Sequence, residues 1–179
     1  AAGFLLLEND KSIAESKNEV LAEVVGYANA NDAYHQTASS PDGKGATLAI
    51  REAMKIANIS PEQISYINFH GTGTANNDLS ESMAIKTVFG DNIPAFSSTK
   101  AFTGHTLAAA GAIESVFAVL ALQNQVLLPN LNYKNPLAET KLVPITEYTE
   151  NAKIDYILSN SFGFGGNNSA IVFKKSEIR

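Results

Sequence analysis

The segment ISYINFHGTGT, at residues 64–74, is the most informative part of the sequence for the fold class. Residues 64–69 are rich in β-branched and aromatic side chains and predict a strand. The strand is predicted to end at His70, because Gly71 follows directly and Gly73 lies two residues further on. Amphipathic helical patterns lie on either side, at residues 47–57 and 79–89. A strand between two helices predicts an α/β fold with a largely parallel sheet.

The same alternation continues in both directions from this stretch. Further strands are predicted at residues 4–7, 20–27, 93–97, 154–158 and 170–173, and a strongly apolar helix at residues 106–123. Ser60 followed by Pro61 predicts a helix start, and Gly90 predicts a helix end. No repeat or linker divides the chain, so we expect one α/β unit.

Composition excludes several classes of function. The chain has 179 residues, of which 45% are hydrophobic and 17% are charged, so it can build a core. Its net charge of -5 argues against nucleic acid or an anionic membrane as the main partner. It has no cysteine, which excludes disulfides, thiolate metal ligands and a cysteine nucleophile from this chain.

Nothing in the sequence predicts a membrane protein. No secretory signal is visible at the N-terminus. The longest apolar run, at residues 107–122, contains Glu114 and is shorter than a membrane span needs. We therefore expect a cytoplasmic protein with no membrane span. The chain also starts without Met, and we expect it to be cut from something longer.

Three polar motifs follow predicted strands, where ligands bind in open α/β folds. They are HGTGT at residues 70–74, SSTKAFTGH at residues 97–105 and SNSFGFGGNN at residues 159–168. The first two motifs each contain a histidine beside a glycine, His70 and His105. Two imidazole N–H donors could stabilise an oxyanion or enolate. Structural histidines and metal ligands stay as alternatives, although HxH and HExxH spacings and a serine-hydrolase G-x-S-x-G motif are absent.

A lysine and a glutamate are the next candidates. Glu114 is the lone charge on the apolar helix predicted at residues 106–123. An isolated buried carboxylate is costly, so it needs a partner, and Lys100 lies just before the helix. The pair is a structural ion pair, part of a catalytic site, or both. A lysine near His105 would also disfavour a charged imidazole.

The glycine-rich motif at residues 159–168 fits neither a dinucleotide fingerprint nor a P-loop, because its spacing differs and no helix follows. One interpretation is a tight hairpin between the last two strands. The other is a mobile gate, in which Phe164, flanked by Gly163 and Gly165, swings over an apolar tunnel.

In their order and spacing, these motifs resemble the C-terminal half of a β-ketoacyl-acyl-carrier-protein synthase of the elongating type, in the thiolase-like superfamily. The resemblance covers nearly the whole chain. It is carried by GFLLLE at 3–8, DAYH at 32–35, HGTGT at 70–74, STK at 98–100, TGH at 103–105, AAGAIE at 109–114 and NSFGFGG at 160–166. Each motif alone is weak, but their combination is specific.

The resemblance implies a fold and a reaction. The fold would be the C-terminal αβα half of a five-layered αβαβα fold, with a mixed five-stranded sheet. Residues 1–8 would be the last strand of the N-terminal half, and residues 18–179 the C-terminal thiolase-like domain. The reaction would be the decarboxylative Claisen condensation of malonyl-acyl-carrier protein with an acyl thioester, catalysed by an acyltransferase of fatty acid biosynthesis. A polyketide pathway stays open.

The resemblance also assigns roles to residues. His70 and His105 would stabilise the malonyl enolate, together with Lys100 and its partner Glu114. Substrate-binding positions would be Thr37, Thr72, Thr74, Phe162 and Phe164, supported by Asp78, Gly163 and Gly165. The resemblance implies no metal and no cofactor, since the phosphopantetheine arm arrives on the acyl carrier protein.

This chain departs from the family pattern in one decisive respect, because it has no cysteine. In the family, the nucleophilic cysteine belongs to the N-terminal half. The implied partners are therefore the acyl carrier protein, a cysteine-bearing N-terminal half and a second copy of the full-length enzyme in a homodimer. The chain alone is expected to be inactive in condensation. A smaller departure is Asn167, which stands where threonine is common.

Two other functions remain possible. One is a non-catalytic partner resembling the chain-length-factor subunits, which often lose active-site residues. The other is a thiolase acting on CoA esters. The presence of both histidines and Lys100 favours the enzyme over the partner, and the TGH and NSFGFGG motifs argue against the thiolase.

Overall fold

A mixed five-stranded sheet lies at the centre of the molecule in the computed structural model, which describes residues 1–177. The strands are β1 (Ala22–Asn31), β2 (Tyr66–Asn68), β3 (Ala95–Ser97), β4 (Tyr156–Gly163) and β5 (Asn167–Lys175). The helices are α1 (Asp10–Ser16), α2 (Lys44–Ile56), α3 (Ala75–Phe89), α4 (Lys100–Thr103) and α5 (Ala110–Asn124). Single 3-10 turns at Pro61–Gln63 and Leu107–Ala109 precede β2 and α5.

The strand order is β1-β5-β4-β2-β3. β2 runs parallel to β3 and β4, whereas β5 is antiparallel to both β1 and β4. The expected mixed sheet is confirmed. The expectation of a largely parallel sheet holds on one side only, because a tight hairpin joins β4 to β5 where a parallel pair would need a long crossover.

Helices cover both faces of the sheet and produce three αβα layers. Successive side chains of a strand point to opposite faces. Ile67 and Leu158 therefore pack in one core with α2 and α3, whereas Tyr66 and Ile157 pack in a second core with α5. The sheet register pairs Asn68 with Ser97. Because β2 and β3 are parallel, the motifs that follow them leave the sheet side by side.

Residues 4–7, which are predicted as a strand, do not form one in the described structure. The resemblance assigns this strand to the N-terminal half, and that expectation stays a prediction. Within residues 1–177 no strand pairs with this segment, and Phe4, Leu6 and Leu7 are exposed. A strand needs a neighbour for its backbone N–H and C=O groups, and apolar composition alone does not supply one. The short helix α1 was not predicted; it begins after Asn9, whose side chain accepts a hydrogen bond from the Ser12 N–H.

The last two strands are longer than predicted. The sequence predicts that the first of them ends at residue 158 and that the second begins at residue 170. In the structure β4 continues to Gly163 and β5 begins at Asn167. The polar residues between these limits predict a loop, but their side chains form hydrogen bonds with buried carboxylates and can therefore lie within a strand. Asn160 donates to Glu81, and Ser161 donates to Glu114. The interpretation of the glycine-rich motif as a tight hairpin is confirmed.

The apolar segment Leu107–Asn124 is long and apolar enough to cross a membrane, by length and composition alone. This corrects the expectation that the run is too short. In the structure the segment forms a 3-10 turn followed by α5, and Ala118, Ala121 and Leu122 face the sheet. One face of α5 packs on the sheet, and we assign the helix to the layer that covers this face of the sheet.

Candidate active site

His70 is buried at the carboxyl end of β2, where its backbone is held by a carboxylate. The N–H groups of His70 and Gly71 each donate a hydrogen bond of 2.9 Å to one oxygen of Glu81 on α3. Asn160 Nδ2 donates a third hydrogen bond to Glu81, at 3.2 Å. Three N–H donors thus satisfy a fully buried carboxyl group, and burial raises the pKa of Glu81 to about 7.

Sequence reasoning missed Glu81. One signal in the sequence could have identified it: Ala84 and Ile85, three and four residues later, are apolar, so helical spacing places position 81 on the inner face of the helix. A carboxylate at such a position needs a partner.

Lys100 connects His70 to Glu114. Its Nζ lies 3.0 Å from His70 Nδ1 and forms the expected ion pair with Glu114. Ser161 Oγ donates to the second oxygen of Glu114, at 3.1 Å. An ammonium group has three donors and no acceptor, so Lys100 donates to Nδ1. The His70 ring therefore carries its proton on Nε2.

His105 is held in the same tautomer by a different donor. The Leu107 N–H donates to His105 Nδ1 at 3.1 Å, so the proton again lies on Nε2. The two imidazole centroids are 5.2 Å apart and the ring planes are inclined by 84°. The structure thus brings both predicted histidines together as a pair of Nε2–H donors.

Both imidazoles are neutral near pH 7. Burial, followed by the positive charge of Lys100 and by repulsion from His105 in its protonated form, lowers the pKa of His70 to about 3. Burial and then the Lys100 charge also lower the pKa of His105. Burial raises the pKa of Glu114, while the contacts with Lys100 and Ser161 oppose that change. A pair of neutral N–H donors can stabilise negative charge on a substrate by hydrogen bonding, without transferring a proton to it.

A cleft of about 620 Å³ opens beside this pair. Thr72, Asp78, Lys100 and His105 line it together with residues 130–135. The hydroxyl oxygens of Thr72 and Thr74 are 2.8 Å apart, which places Thr74 beside the same cleft.

Phe162, one of the predicted substrate-binding residues, lies next to His70. The Phe162 ring centroid is 5.7 Å from that of His70, and the side chain is buried. Phe162 therefore forms an apolar wall beside the imidazole pair.

Of the predicted substrate-binding residues, Thr72 alone lines this cleft, and Thr37 and Phe164 lie on exposed loops. Thr37 is exposed in the loop before α2, where its N–H donates to His35 Nδ1 at 3.1 Å. Phe164 is 80% exposed at the tip of the β4–β5 hairpin. The Gly165 N–H donates to the Gln36 carbonyl at 2.7 Å, so the hairpin tip and the loop before α2 contact each other.

Within residues 1–177, no cluster of three or more His, Cys, Asp or Glu side chains could hold a metal ion. His70 and His105 interact instead with Lys100 and with the Leu107 backbone.

Comparison with known proteins identifies the family. The family model described as beta-ketoacyl synthase, C-terminal domain, matches residues 21–134, which is more than half of the chain. The chain belongs to the β-ketoacyl synthase family. It is 45% identical over 177 residues to 3-oxoacyl-[acyl-carrier-protein] synthase 2 of Synechocystis sp., covering 97% of this chain and 42% of the relative.

Solved β-ketoacyl synthase structures share the fold. A type II polyketide ketosynthase in complex with its acyl-carrier protein matches with a TM-score of 0.89 and 38% identity, covering 95% of this chain and 42% of that one. The ishigamide ketosynthase/chain length factor matches with a TM-score of 0.87 and 32% identity, covering 93% of this chain and 41% of that one.

The comparisons confirm the thiolase-like fold class expected from the motifs, with this chain corresponding to the C-terminal αβα half. They also relate the chain to acyltransferases of fatty acid biosynthesis. The chain spans less than half the length of these relatives.

Proposed function

We propose that this chain supplies the enolate-stabilising histidines of a 3-oxoacyl-acyl-carrier-protein synthase, which condenses malonyl-acyl-carrier protein with an acyl thioester. One observation carries the proposal: His70 and His105 lie 5.2 Å apart, and in each ring Nδ1 accepts a hydrogen bond. The remaining donor of each ring is its Nε2–H.

The first step would be decarboxylation. The bond between C2 of the malonyl group and its carboxylate breaks, and CO₂ leaves. The electron pair of that bond becomes an enolate, whose negative charge lies largely on the thioester oxygen. Two N–H donors directed at that oxygen bind the enolate more strongly than the neutral thioester, and this difference lowers the barrier. Neutral imidazoles also leave C2 unprotonated and able to attack.

The second step would need a cysteine from outside this chain. C2 attacks the carbonyl carbon of an acyl group on a cysteine sulfur, the new C–C bond forms, and the thiolate leaves. This chain has no cysteine. We propose that a cysteine-bearing N-terminal half supplies it, that the isolated chain does not condense, and that the full-length enzyme is a homodimer. The division into residues 1–8 and 18–179 stays a prediction.

Substrate would reach the histidines on a carrier. We propose that the phosphopantetheine arm of an acyl carrier protein passes Thr72 and Thr74, and that no resident cofactor or metal is needed. Phe162 would line the acyl pocket, and Thr37 would contact the arm from the loop before α2. Phe164, between Gly163 and Gly165, would act as the gate. We expect the protein to work in the cytoplasm.

A second candidate is a non-catalytic partner of a ketosynthase, similar to a chain length factor. The observation that favours it is the structural similarity to the ishigamide ketosynthase/chain length factor, at a TM-score of 0.87. Against it stands the intact arrangement of His70, Lys100 and His105, because a subunit without catalysis does not need matched tautomers.

Co-expression with a cysteine-bearing N-terminal half of a related synthase tests the proposal. We expect the assembly to condense malonyl and acyl thioesters. His70→Ala and His105→Ala should each lower malonyl decarboxylation about 100-fold, since each removes one enolate donor. Acylation of the cysteine, measured on the same variants, should change less, because it does not pass through the malonyl enolate. Decarboxylation at the parent rate in both variants would contradict the proposal and favour the non-catalytic partner.

A further inference from the structure

Ser98 lies on the loop that carries Lys100 and contacts the loop that carries His70. It follows β3 directly and is buried, at 6% exposure. Its Oγ donates to the Gly71 carbonyl at 3.1 Å and lies 3.4 Å from the His70 carbonyl. The same Oγ accepts the Lys100 N–H at 3.3 Å. One hydroxyl group thus bonds the backbone of both loops.

The two loops approach each other too closely for a side chain at position 71. Gly71 has φ +44°, and a Cβ there would lie 2.5 Å from Ser98 Cβ and 2.8 Å from Ser98 Oγ. Glycine is therefore required both by the backbone conformation and by the space that Ser98 occupies. This contact holds the carboxyl ends of β2 and β3 together next to the imidazole pair.

A third segment fixes Ser98 from its other side. The Ser98 N–H donates to Asn130 Oδ1 at 3.0 Å, and the Asn130 N–H donates to the Ile145 carbonyl at 2.8 Å. The backbone and the hydroxyl of Ser98 are therefore both bonded, which leaves the residue little freedom to shift.

We propose that Ser98 is a positioning residue that sets the contact between Lys100 Nζ and His70 Nδ1, and through it the Nε2–H tautomer of His70. Ser98 does not touch the reacting atoms. Its importance for turnover rests on the proposed function of His70, whereas its effect on the tautomer is a property of the chain itself.

The Ser98 hydroxyl acts on the His70 ring through the backbone of the two loops. Without it, the Gly71 carbonyl loses a donor and the Lys100 N–H loses an acceptor, so the two loops are no longer joined at this point. Lys100 Nζ can then leave Nδ1, and the imidazole proton is free to occupy either nitrogen. A displacement of about 1 Å at a positioned group can cost about 100-fold in rate.

The experiment measures the tautomer directly, by long-range ¹⁵N–¹H correlation spectra of the histidine-labelled chain. The parent should show His70 as a single Nε2–H species. Ser98→Ala should show a mixture of both tautomers. The matched control is Ser115→Ala, which removes an equally buried hydroxyl, at 6% exposure, that donates to the Gly111 carbonyl within α5. The control should keep the parent pattern.

A folded Ser98→Ala chain with the parent tautomer would overturn the proposal. If that variant does not fold, Asn130→Ala decides, since it loosens Ser98 from the opposite side. A mixture of tautomers in it supports the proposal, and the parent pattern overturns it.

Turnover is the second readout, in the cysteine-bearing assembly. Ser98→Ala should lower kcat for malonyl decarboxylation about 10- to 100-fold while KM changes less, because the residue acts on His70 and not on substrate binding. Decarboxylation by the parent that does not depend on His70 would refute the proposed function, but it would leave the spectroscopic test of Ser98 intact.

Discussion

His70 illustrates how one residue obtains its properties from several partners. Its backbone N–H donates to Glu81, and its Nδ1 accepts from Lys100. The first contact places the residue, and the second selects the tautomer. The side chain is thereby a neutral donor over the physiological pH range, since burial lowers its pKa to about 3.

Replacing His70 with glutamine should change the pH dependence of stability. The ordinary pKa of 6.5 falls to about 3 in the folded chain, so between these values the unfolded chain binds more protons. The free energy of unfolding contributed by His70 therefore rises with pH, by at most about 1.4 kcal/mol per unit. We expect the difference in the free energy of unfolding between parent and His70→Gln, measured with urea, to change by about 2 kcal/mol from pH 5 to 6.5.

Glu81 changes the free energy of unfolding with pH in the opposite direction to His70. The prediction therefore concerns the difference in this free energy between parent and His70→Gln. Burial raises the pKa of Glu81 from 4.5 to about 7, so its stabilising contribution is full below pH 4.5 and is lost as the pH rises to 7. Glu81 is present in both proteins and its effect cancels in the difference. A difference between parent and variant that does not change with pH would contradict the prediction.

At the scale of secondary-structure elements, β1 packs closely against α2 at Gly26. A Cβ on Gly26 would overlap the Ala53 carbonyl oxygen and lie 2.9 Å from Ala57 Cβ. The register of β1 with β5 also shifts between Val24 and Gly26. The absence of a side chain at position 26 therefore sets how closely α2 packs on the sheet.

Gly26→Ala should lower the free energy of unfolding by about 1–3 kcal/mol, because α2 must move away from β1. Gly163→Ala is the matched control, since a Cβ there meets nothing within 4 Å. We expect the control to change stability by no more than about 0.5 kcal/mol. Chemical denaturation of both variants measures this. Equal losses of stability in the two would show that packing at Gly26 does not limit the approach of α2.

At the scale of the whole molecule, an exposed apolar face lies beside the N-terminal segment. An open cleft of about 480 Å³ lies between the N-terminal segment and the start of α5, and Phe4 and Leu107 both line it. These side chains are 89% and 77% exposed. Burying apolar surface stabilises a complex by about 25 cal/mol per Å², so this face favours association.

We expect the isolated chain to self-associate through this face, as measured by light scattering over a range of concentrations. Phe4→Ser should weaken the association. The matched control is Leu48→Ser on α2, which removes an apolar side chain that is 53% exposed on the opposite side of the sheet. A monomeric parent chain at all concentrations, or an equal effect of both variants, would contradict the prediction.

Three features could be predicted without the structure: the alternation of helices and strands, the position of His70 at a strand end and the lack of a nucleophilic cysteine. These features depend on local propensity and on composition, which a sequence carries directly. The sequence also indicated the Lys100–Glu114 pair, because a lone charge on an apolar helix needs a partner close by.

Partners that are remote along the chain could be identified only from the folded structure. The contacts of Glu81 with His70 and Asn160, and of Ser98 with Gly71 and Asn130, depend on how the strands are ordered in the sheet. The same holds for residues 4–7, whose apolar composition predicts a strand that no neighbouring strand completes. Hydrogen bonds form between groups that the fold brings together, and local sequence preference does not specify which groups those are.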